Sequence, residues 1–386
     1  MSRFDEIIDR RGTDSYKWDT TAPGVTPVWV ADMDFRTAPC IIEALKRRVE
    51  QGVFGYTAVP ERYYRAIRHW FERRHGWIID TDKIIYTPGV VPALSAIIKA
   101  MTRPGDKIIC QTPAYNCFFS SIRNNGCILA ANPLAGSEGE GFSIDYDNLE
   151  NLASDPAAKL LILCNPHNPS GRVWTADELQ RVADICLRHD MFVISDEIHC
   201  ELTYPGHDYT PFATVAPEGL RWAACFSPSK AFNIAGLQIA NILACNEDIM
   251  ARIDRAVNDN EVCDVNPFGV IATVEAYENG AEWLDELRDY LWSNYQYLKN
   301  TFSILPQYPV AELQGTYLVW LNISASGMSA DQLEALLEDR AAVRPASGSI
   351  YGSNDHLRIN IACPRSVLAN ALDRMVPVLE AVSVVK

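Results

Sequence analysis

The sequence lacks long apolar runs, blocks of basic residues and closely spaced cysteines, and each absence excludes a class of protein. No apolar run among the 386 residues is long enough to span a bilayer, and the opening MSRFDEIIDRRG has no apolar signal-peptide core. The net charge of −15 comes without a Lys/Arg cluster, which argues against nucleic acid and membrane surfaces as main partners. The eleven cysteines form no C-x-x-C pair and fit free thiols better than disulfides or a zinc site. We therefore expect a soluble, cytoplasmic protein.

Internal repeats and low-complexity linkers are also absent, and helix and strand patterns alternate along the chain instead. Short, mostly apolar runs predict strands at KIICQTP, AKLLILCNP, MFVISDE, RWAACFSPS and IANILAC. Strands that are apolar on both faces are typical of a parallel sheet covered on both sides. Between two of them, TADELQRVADICLRHD predicts an amphipathic helix that begins at a capping box of Thr175 and Glu178. This alternation predicts the α/β class.

The pattern changes after about residue 280. AEWLDELRDYLWSNYQYLKNTF predicts one long helix, and strand GTYLVWLNI, helix SADQLEALLEDRAAV, strand HLRINIAC and a last helix follow it. We expect these elements to form a smaller α+β domain that the irregular N-terminus joins.

Polar side chains stand where the predicted strands end. In parallel sheets covered by helices, ligands collect at the carboxyl ends of the strands. A glycine turn in TPGVVPAL also precedes a helix, whose free N–H groups would suit a phosphate. Taken singly, these residues allow ordinary roles as helix caps, turns, packing or surface groups. The residues at the strand ends are Tyr115, Asn168, Asp196, His199, Ser227, Ser229 and Lys230.

Together these groups fit one cofactor. Pyridoxal 5'-phosphate forms a Schiff base with a lysine and acts as an electron sink through a ring nitrogen that an acidic side chain keeps protonated. Its ring needs an aromatic face, its phenolic oxygen needs hydrogen-bond donors, and its phosphate needs N–H and hydroxyl groups. The sequence therefore predicts a pyridoxal-phosphate site.

The chain also resembles a known family over nearly its whole length. It resembles the fold-type I pyridoxal-phosphate enzymes of the class I/II aminotransferase superfamily, and most closely the MalY/PatB-type cystathionine β-lyases (C–S lyases). The motifs that carry the resemblance are WDT, ADMDF, APCIIEAL, GVFGY, TPAYN, NPHNPSGRVW, ISDEIH, SPSKAFN, GTYLVWL and LRINIACPR.

The resemblance implies a role for each residue around the cofactor ring. Lys230 would form the Schiff base and shuttle protons, and Asp196 would pair with the ring nitrogen. Asn168 would bond the phenolic oxygen and Tyr115 would stack on the ring. His199 stands near that oxygen, where many aminotransferases carry a tyrosine.

The resemblance also implies how the phosphate and the substrate are bound. Tyr56 of GVFGY would reach the phosphate in the neighbouring subunit of a homodimer, and Arg358 of LRINIA would clamp the α-carboxylate of the substrate. Gln238 stands where many aminotransferases have a phosphate-binding arginine, which leaves the phosphate charge less completely neutralised. The remaining phosphate ligands would be the N–H groups of Gly89, Val90 and Val91 and the hydroxyls of Ser227 and Ser229.

The fold that the resemblance implies is a large domain with a mostly parallel, helix-covered sheet and a smaller α+β domain. We expect residues 1–45 to belong to the small domain and the dimer contacts, residues 46–280 to form the cofactor-binding domain, and residues 281–386 to form the connecting helix and small domain.

The activity implied is β-elimination from cystathionine, cysteine or cysteine S-conjugates, which gives pyruvate, ammonia and a thiol. An aminotransferase reaction is the second possibility, because it shares every step up to the carbanion that forms at Cα. A cofactor-binding regulator of a protein partner is the third. The sequence does not identify the physiological thiol substrate, and it assigns no chemical role to Asp32 or Asp34 of ADMDF.

Overall fold

Helices and strands alternate through a computed structural model that describes residues 2–259 and 264–383. Ahead of the main alternation lie α1 (Tyr16–Asp19), β1 (Thr26–Pro27), α2 (Pro39–Gln51) and α3 (Glu61–His75). The alternating elements are β2 (Ile84–Thr87), α4 (Val90–Met101), β3 (Lys107–Thr112), α5 (Asn116–Asn124), β4 (Ile128–Pro133), β5 (Ala135–Ser137), β6 (Gly141–Ser143), α6 (Tyr146–Ala153), β7 (Ala158–Cys164), α7 (Ala176–Arg188), β8 (Phe192–Asp196), α8 (Phe212–Val215), β9 (Arg221–Phe226) and β10 (Ala240–Ala244). Helices α9 (Glu247–Asn258) and α10 (Pro267–Asn279) follow.

The central sheet has seven strands in the order β2-β10-β9-β8-β7-β3-β4. The neighbouring pairs from β9 to β4 are parallel, while β10 runs antiparallel to both β9 and β2. The mostly parallel sheet predicted from the apolar runs is therefore confirmed, with IANILAC as its one reversed strand. Because β2 also runs in the majority direction, its carboxyl end lies at the same edge as those of β3, β7, β8 and β9.

Local sequence signals explain where the helices begin and end. The capping box predicted at Thr175 and Glu178 is present at the start of α7. Helix α3 ends at Gly76, which has a φ of 63°, a left-handed conformation that glycine adopts without a steric penalty. The sequence pattern therefore determines these ends directly.

A second, smaller unit follows the sheet. It contains α11 (Ala281–Phe302), β11 (Leu318–Asn322), α12 (Ala330–Ala341), β12 (Val343–Arg344), β13 (Ala346–Ser347), β14 (His356–Asn360) and α13 (Arg365–Val382). Strands β11, β14 and β13 form an antiparallel sheet, and β1 of the N-terminal segment pairs with β12. The smaller α+β unit is confirmed. The residue numbers of the domain boundaries stay predictions, and α2 runs across the boundary placed between residues 45 and 46.

Apolar packing connects the two units. One buried cluster contains Phe4 of the N-terminal segment, Trp70 of α3, Trp283 of α11 and Leu372 of α13. Among the helices of the described chain, none combines the length and apolar character needed to cross a bilayer. The ten cysteines within that part of the chain are free, and Cys263 lies outside the described residues.

Candidate active site

The carboxyl edge of the central sheet surrounds a cavity of about 210 Å³. Asp196 is the last residue of β8, and the turns after β2, β3, β7 and β9 bring the other predicted groups to the same place. The structure thus brings together predicted residues from several separate parts of the chain, from Gly89 to Lys230. The predicted residues that line the cavity are Gly89, Val90, Val91, Tyr115, Asn168, Asp196, His199, Ser229 and Lys230.

Lys230 follows the buried strand β9 and has its amine inside the cavity. The Nζ atom donates a hydrogen bond to the carbonyl oxygen of Ala31 at 2.7 Å. Burial, with a smaller contribution from the positive charge of Arg358, lowers the pKa of Lys230 to about 8. A substantial fraction of the amine is therefore neutral near physiological pH, the form that attacks a carbonyl group.

Asp196 and His199 lie on the strand end and the turn that follows it, and both are almost fully buried. One Asp196 carboxylate oxygen accepts a hydrogen bond from the N–H of Ile198 at 3.2 Å, and burial raises the pKa of Asp196 to about 7. Burial lowers the pKa of His199 to about 3, so its ring is neutral. Nδ1 of His199 has no hydrogen-bond partner among the described residues. A buried carboxyl and an unsatisfied imidazole nitrogen both fit a polar ligand in the cavity.

Arg358 extends from β14 of the smaller unit toward the same cavity. Its guanidinium donates to Oδ1 of Asn168 at 3.1 Å and to the carbonyl of Trp29 at 2.9 Å, and it lies 4.4 Å from the ring centroid of Tyr351. Arg358 is only 3% exposed, and its Nε has no partner within the described chain. A buried guanidinium without a carboxylate partner is suited to bind the carboxylate of a ligand.

The N-terminus of α4 also lines the cavity and has the chemistry of an anion site. Gly89 precedes the helix, and the N–H groups of Val90 and Val91 belong to the first turn, which has no intrahelical acceptors. Ser229 and Gln238 line the cavity as well. Backbone N–H groups at a helix start, together with a hydroxyl and an amide, suit a phosphate group.

Three of the predicted site residues are not among those that line the cavity in this chain: Ser227, Tyr56 and Arg358, the last of which contacts the lining residue Asn168. The hydroxyl of Ser227 donates to the carbonyl of Ile239 at 2.5 Å and accepts from the N–H of Ser229 at 3.1 Å, so it orients the turn instead. Tyr56 is 96% exposed, and no wall of the cavity formed by this chain includes it.

The sequence reasoning missed two groups beside the lysine. The Ala31 carbonyl contacts Lys230, and it also accepts a hydrogen bond from the hydroxyl of Tyr317 at 2.9 Å. A backbone carbonyl has no residue-type signal. Tyr317 lies in the GTYLVWL motif, but the apolar strand pattern there indicates only a core position.

The donor set fits pyridoxal 5'-phosphate. A buried amine with a lowered pKa, a buried carboxyl, a half-buried aromatic ring and a helix N-terminus meet in one cavity, and the free Nδ1 of His199 leaves a polar group for the ligand to satisfy. Of these groups, Lys230 would hold the aldehyde carbon and α4 the phosphate.

Comparisons with known proteins agree with this geometry. The family described as aminotransferase class I and II matches residues 29–375. The chain is 39% identical to cystathionine beta-lyase PatB of Bacillus subtilis, over 96% of this chain and 98% of that protein. The structure of cystalysin from Treponema denticola, which contains pyridoxal 5'-phosphate, superimposes with a TM-score of 0.94 at 34% identity and covers 99% of both chains. The pyridoxal-phosphate-bound C–S lyase from Staphylococcus hominis superimposes with a TM-score of 0.92 at 32% identity, covering 98% of this chain and 99% of that one.

Proposed function

The chain belongs to the aminotransferase class I and II family, and from that premise we propose that it is a pyridoxal-phosphate-dependent β-lyase. It cleaves the Cβ–S bond of cystathionine, cysteine or cysteine S-conjugates and gives pyruvate, ammonia and a thiol. The observation that carries this proposal is that Lys230 and Asp196 line one cavity and Arg358 contacts Asn168 of the same cavity, in a chain whose relatives include proteins named cystathionine β-lyase and C–S lyase.

Each of these residues has a definite task in such a reaction. The bound cofactor supplies an electron sink for the charge that develops at Cα. Asp196 holds the proton on the ring nitrogen, and Arg358 fixes the substrate α-carboxylate. The amine of Lys230, whose pKa is lowered to about 8, removes the Cα proton, and the thiolate then leaves from Cβ.

The remaining predicted residues complete the proposed cofactor site. Tyr115 stacks on the ring, while Asn168 and His199 face the phenolic oxygen. The N–H groups of Gly89, Val90 and Val91 and the hydroxyl of Ser229 bind the phosphate, and Ser227 supports that turn.

We also propose that the enzyme is a homodimer with shared sites, in which Tyr56 of one chain reaches the phosphate bound by the other. Residues 1–45 would belong to the small domain and the dimer contacts, residues 46–280 to the cofactor domain, and residues 281–386 to the connecting helix and the small domain. Ten free cysteines in the described chain support a cytoplasmic location.

The decisive experiment follows pyruvate and thiol release from cystathionine and from an S-alkyl cysteine without any keto acid. We expect both products in equal amounts, and we expect Lys230→Ala to lose nearly all turnover together with the yellow colour of the bound cofactor. If sulfur substrates give no pyruvate while an amino acid and keto acid pair reacts rapidly, the enzyme is an aminotransferase. If neither reaction occurs although the cofactor binds, a regulatory role takes the place of both.

A further inference from the structure

Residues 29–34 contribute to the site through their backbone, and Ala31 of this segment lines the cavity. The carbonyl of Ala31 accepts from Lys230 at 2.7 Å, and the carbonyl of Trp29, two residues earlier, accepts from Arg358 at 2.9 Å. The lysine and the arginine that the proposed reaction requires thus both donate to carbonyls of one short segment. The position of that segment therefore influences where both side chains lie.

A cluster of charges anchors this segment from the side of the N-terminus. We call it the N-terminal anchor and define it as Arg10, Lys17, Trp18, Asp32 and Asp34. Asp34 is 4% exposed and Lys17 is 1% exposed. One carboxylate oxygen of Asp34 accepts from Lys17 at 2.7 Å, and the other accepts from Trp18 Nε1 at 2.8 Å and from Arg10 at 2.7 Å.

Asp32 completes the N-terminal anchor and balances its charge. It accepts from Arg10 at 2.7 Å, and its other carboxylate oxygen lies 3.6 Å from Nζ of Lys17. Two carboxylates therefore neutralise two cations. Burial raises the pKa of Asp34, but the charge and hydrogen bond of Lys17 outweigh that effect and leave the pKa of Asp34 below its usual value.

Hydrogen bonds to the backbone continue from the anchor to the carbonyls of the site. Arg10 also donates to the carbonyl of Met33 at 3.2 Å. From the other side, Nδ2 of Asn360 donates to the carbonyls of Val30 and Asp32 at 2.5 and 2.6 Å, and so brackets Ala31. The segment is held on both sides of Ala31, with little freedom to shift.

We propose that the N-terminal anchor, centred on Asp34, positions the Ala31 and Trp29 carbonyls and through them the amine of Lys230 and the guanidinium of Arg358. Its members are positioning residues, and this gives Asp32 and Asp34 of ADMDF a role. The inference rests on the proposed function, because it concerns the same lysine and arginine. A buried ion pair adds little stability compared with apolar residues of the same size, so stability alone does not account for the cluster.

The test uses the holoenzyme with Arg10→Lys, which keeps the charge but loses the forked contact, and with Asp34→Asn, which keeps the size but loses the charge. The first readout is exchange of the Cα hydrogen of L-alanine in D₂O, because alanine has no leaving group and reports proton transfer by Lys230 alone. We expect a loss of about tenfold or more in both variants, since a small misplacement of a reacting group lowers rates strongly. The second readout is the KM for an S-alkyl cysteine, which should rise several-fold as Arg358 loses its support.

The pH profile of the exchange separates positioning from a loss of folded enzyme. The charged and titratable groups around the Lys230 amine are Arg358, Asp32, Asp196, Cys117 and His199. The Ala31 carbonyl favours the protonated amine, so a displaced carbonyl lowers the pKa of that amine and moves the acid limb of the profile to lower pH. A change that only reduces the amount of folded protein would scale the profile without moving it.

The control is Leu149→Ala, a fully buried residue of α6 packed behind the sheet. It should lower Tm and leave the exchange rate, the pH profile and KM of the folded holoenzyme unchanged. If Arg10→Lys and Asp34→Asn behave like this control, the positioning role is wrong. Should Asp34→Asn not fold, Tyr317→Phe takes its place, since it removes only the hydroxyl that bonds the Ala31 carbonyl. Wild-type exchange without thiol release would overturn the lyase proposal but leave this test intact.

Discussion

Asp196 occupies a position where the protein alone does not stabilise its charge. Burial raises its pKa from 3.8 to about 7. In the unfolded chain the carboxyl ionises near pH 4, so folding of the cofactor-free protein loses stability from about pH 4 to pH 7. The full penalty above pH 7 is about 4 kcal/mol at most, at 1.36 kcal/mol for each pH unit.

Asp196→Asn should therefore raise the Tm of the cofactor-free protein, because it removes this penalty. The gain should be larger at pH 8 than at pH 5 and should vanish near pH 4, while the same variant loses turnover with cofactor present. Thermal unfolding at the three pH values measures the effect. A gain in Tm that is equal at all three pH values would show that the Asp196 carboxyl titrates at its ordinary pKa.

Arg358→Lys should weaken substrate binding and leave the cofactor spectrum intact. Lysine keeps the charge but has no planar fork to hold a carboxylate in two places. The loss of a charged hydrogen bond, about 1.5–3 kcal/mol, corresponds to a rise in KM of roughly ten- to a hundredfold. Arg62→Lys, at an exposed ion pair with Glu278, is the matched control. An unchanged KM in the first variant would mean that another residue holds the carboxylate.

At this scale the sequence predicts side chains better than backbone contacts. Lys230, Asp196 and Tyr115 were identifiable because a strand end is where such groups can meet. The Ala31 carbonyl was not, because its position depends on tertiary contacts of its neighbours, such as Asp34 with Arg10 and the carbonyl of Val30 with Asn360 of β14. The phosphate role predicted for Ser227 stays a prediction, because its hydroxyl donates to the Ile239 carbonyl at 2.5 Å and the residue is not among those that line the cavity.

At the scale of elements, the first turn of α4 is the part of the proposed site that would bind the cofactor phosphate without a charged side chain. Val90→Pro tests this, because proline fits the first position of a helix and removes only the N–H group. Gly89, which precedes Val90, has an extended backbone, and a residue before proline prefers that conformation. We expect the Kd of the cofactor to rise about tenfold through the loss of one hydrogen bond to a charged group.

Val90→Ala is the control for the buried Val90 side chain and should keep most of the affinity. Equilibrium binding of pyridoxal phosphate, followed by absorbance, measures both variants. If the alanine variant loses as much affinity as the proline variant, packing rather than the N–H group supports the phosphate site.

The elements that the sequence predicted best are those in which apolar residues recur at one regular spacing. Helices α7 and α11 follow the patterns predicted for TADELQRVADICLRHD and AEWLDELRDYLWSNYQYLKNTF. Helix α10 is buried on several sides and has no such pattern, so periodicity does not reveal it. The edge strand β4 is largely exposed and lacks a continuous apolar run. The reversed direction of β10 depends on its tertiary neighbours, not on its own residues.

For the whole molecule, the site depends on both units, since Arg358 comes from the smaller one and contacts Asn168 of the larger one. Composition and periodicity predict the two units, but not that this arginine lies against that asparagine. The family resemblance predicts that Arg358 binds substrate, and its contact with Asn168, which lines the cavity, is consistent with that prediction.

The exposed segment around Tyr56 is the feature of the molecule that one chain does not explain. Val49, Val53, Phe54 and Tyr56 are between 55% and 96% exposed, and such a group of apolar side chains is usually covered by a partner. Two copies of this chain would cover it in a homodimer and bring Tyr56 to the partner's phosphate site. Tyr56→Ala and Lys230→Ala should each be nearly inactive as pure proteins.

Mixing these two variants after subunit exchange should restore activity. A mixed dimer has one site with an intact Lys230 from one chain and an intact Tyr56 from the other, and one site that lacks both. Random pairing of equal amounts then gives about a quarter of the wild-type activity per chain. The matched control mixes Tyr56→Ala with the double variant Tyr56→Ala/Lys230→Ala, in which no site is whole. No recovery in the first mixture, with exchange proven by mass spectrometry of the dimers, would mean that each chain completes its own site and that another partner covers the Tyr56 segment.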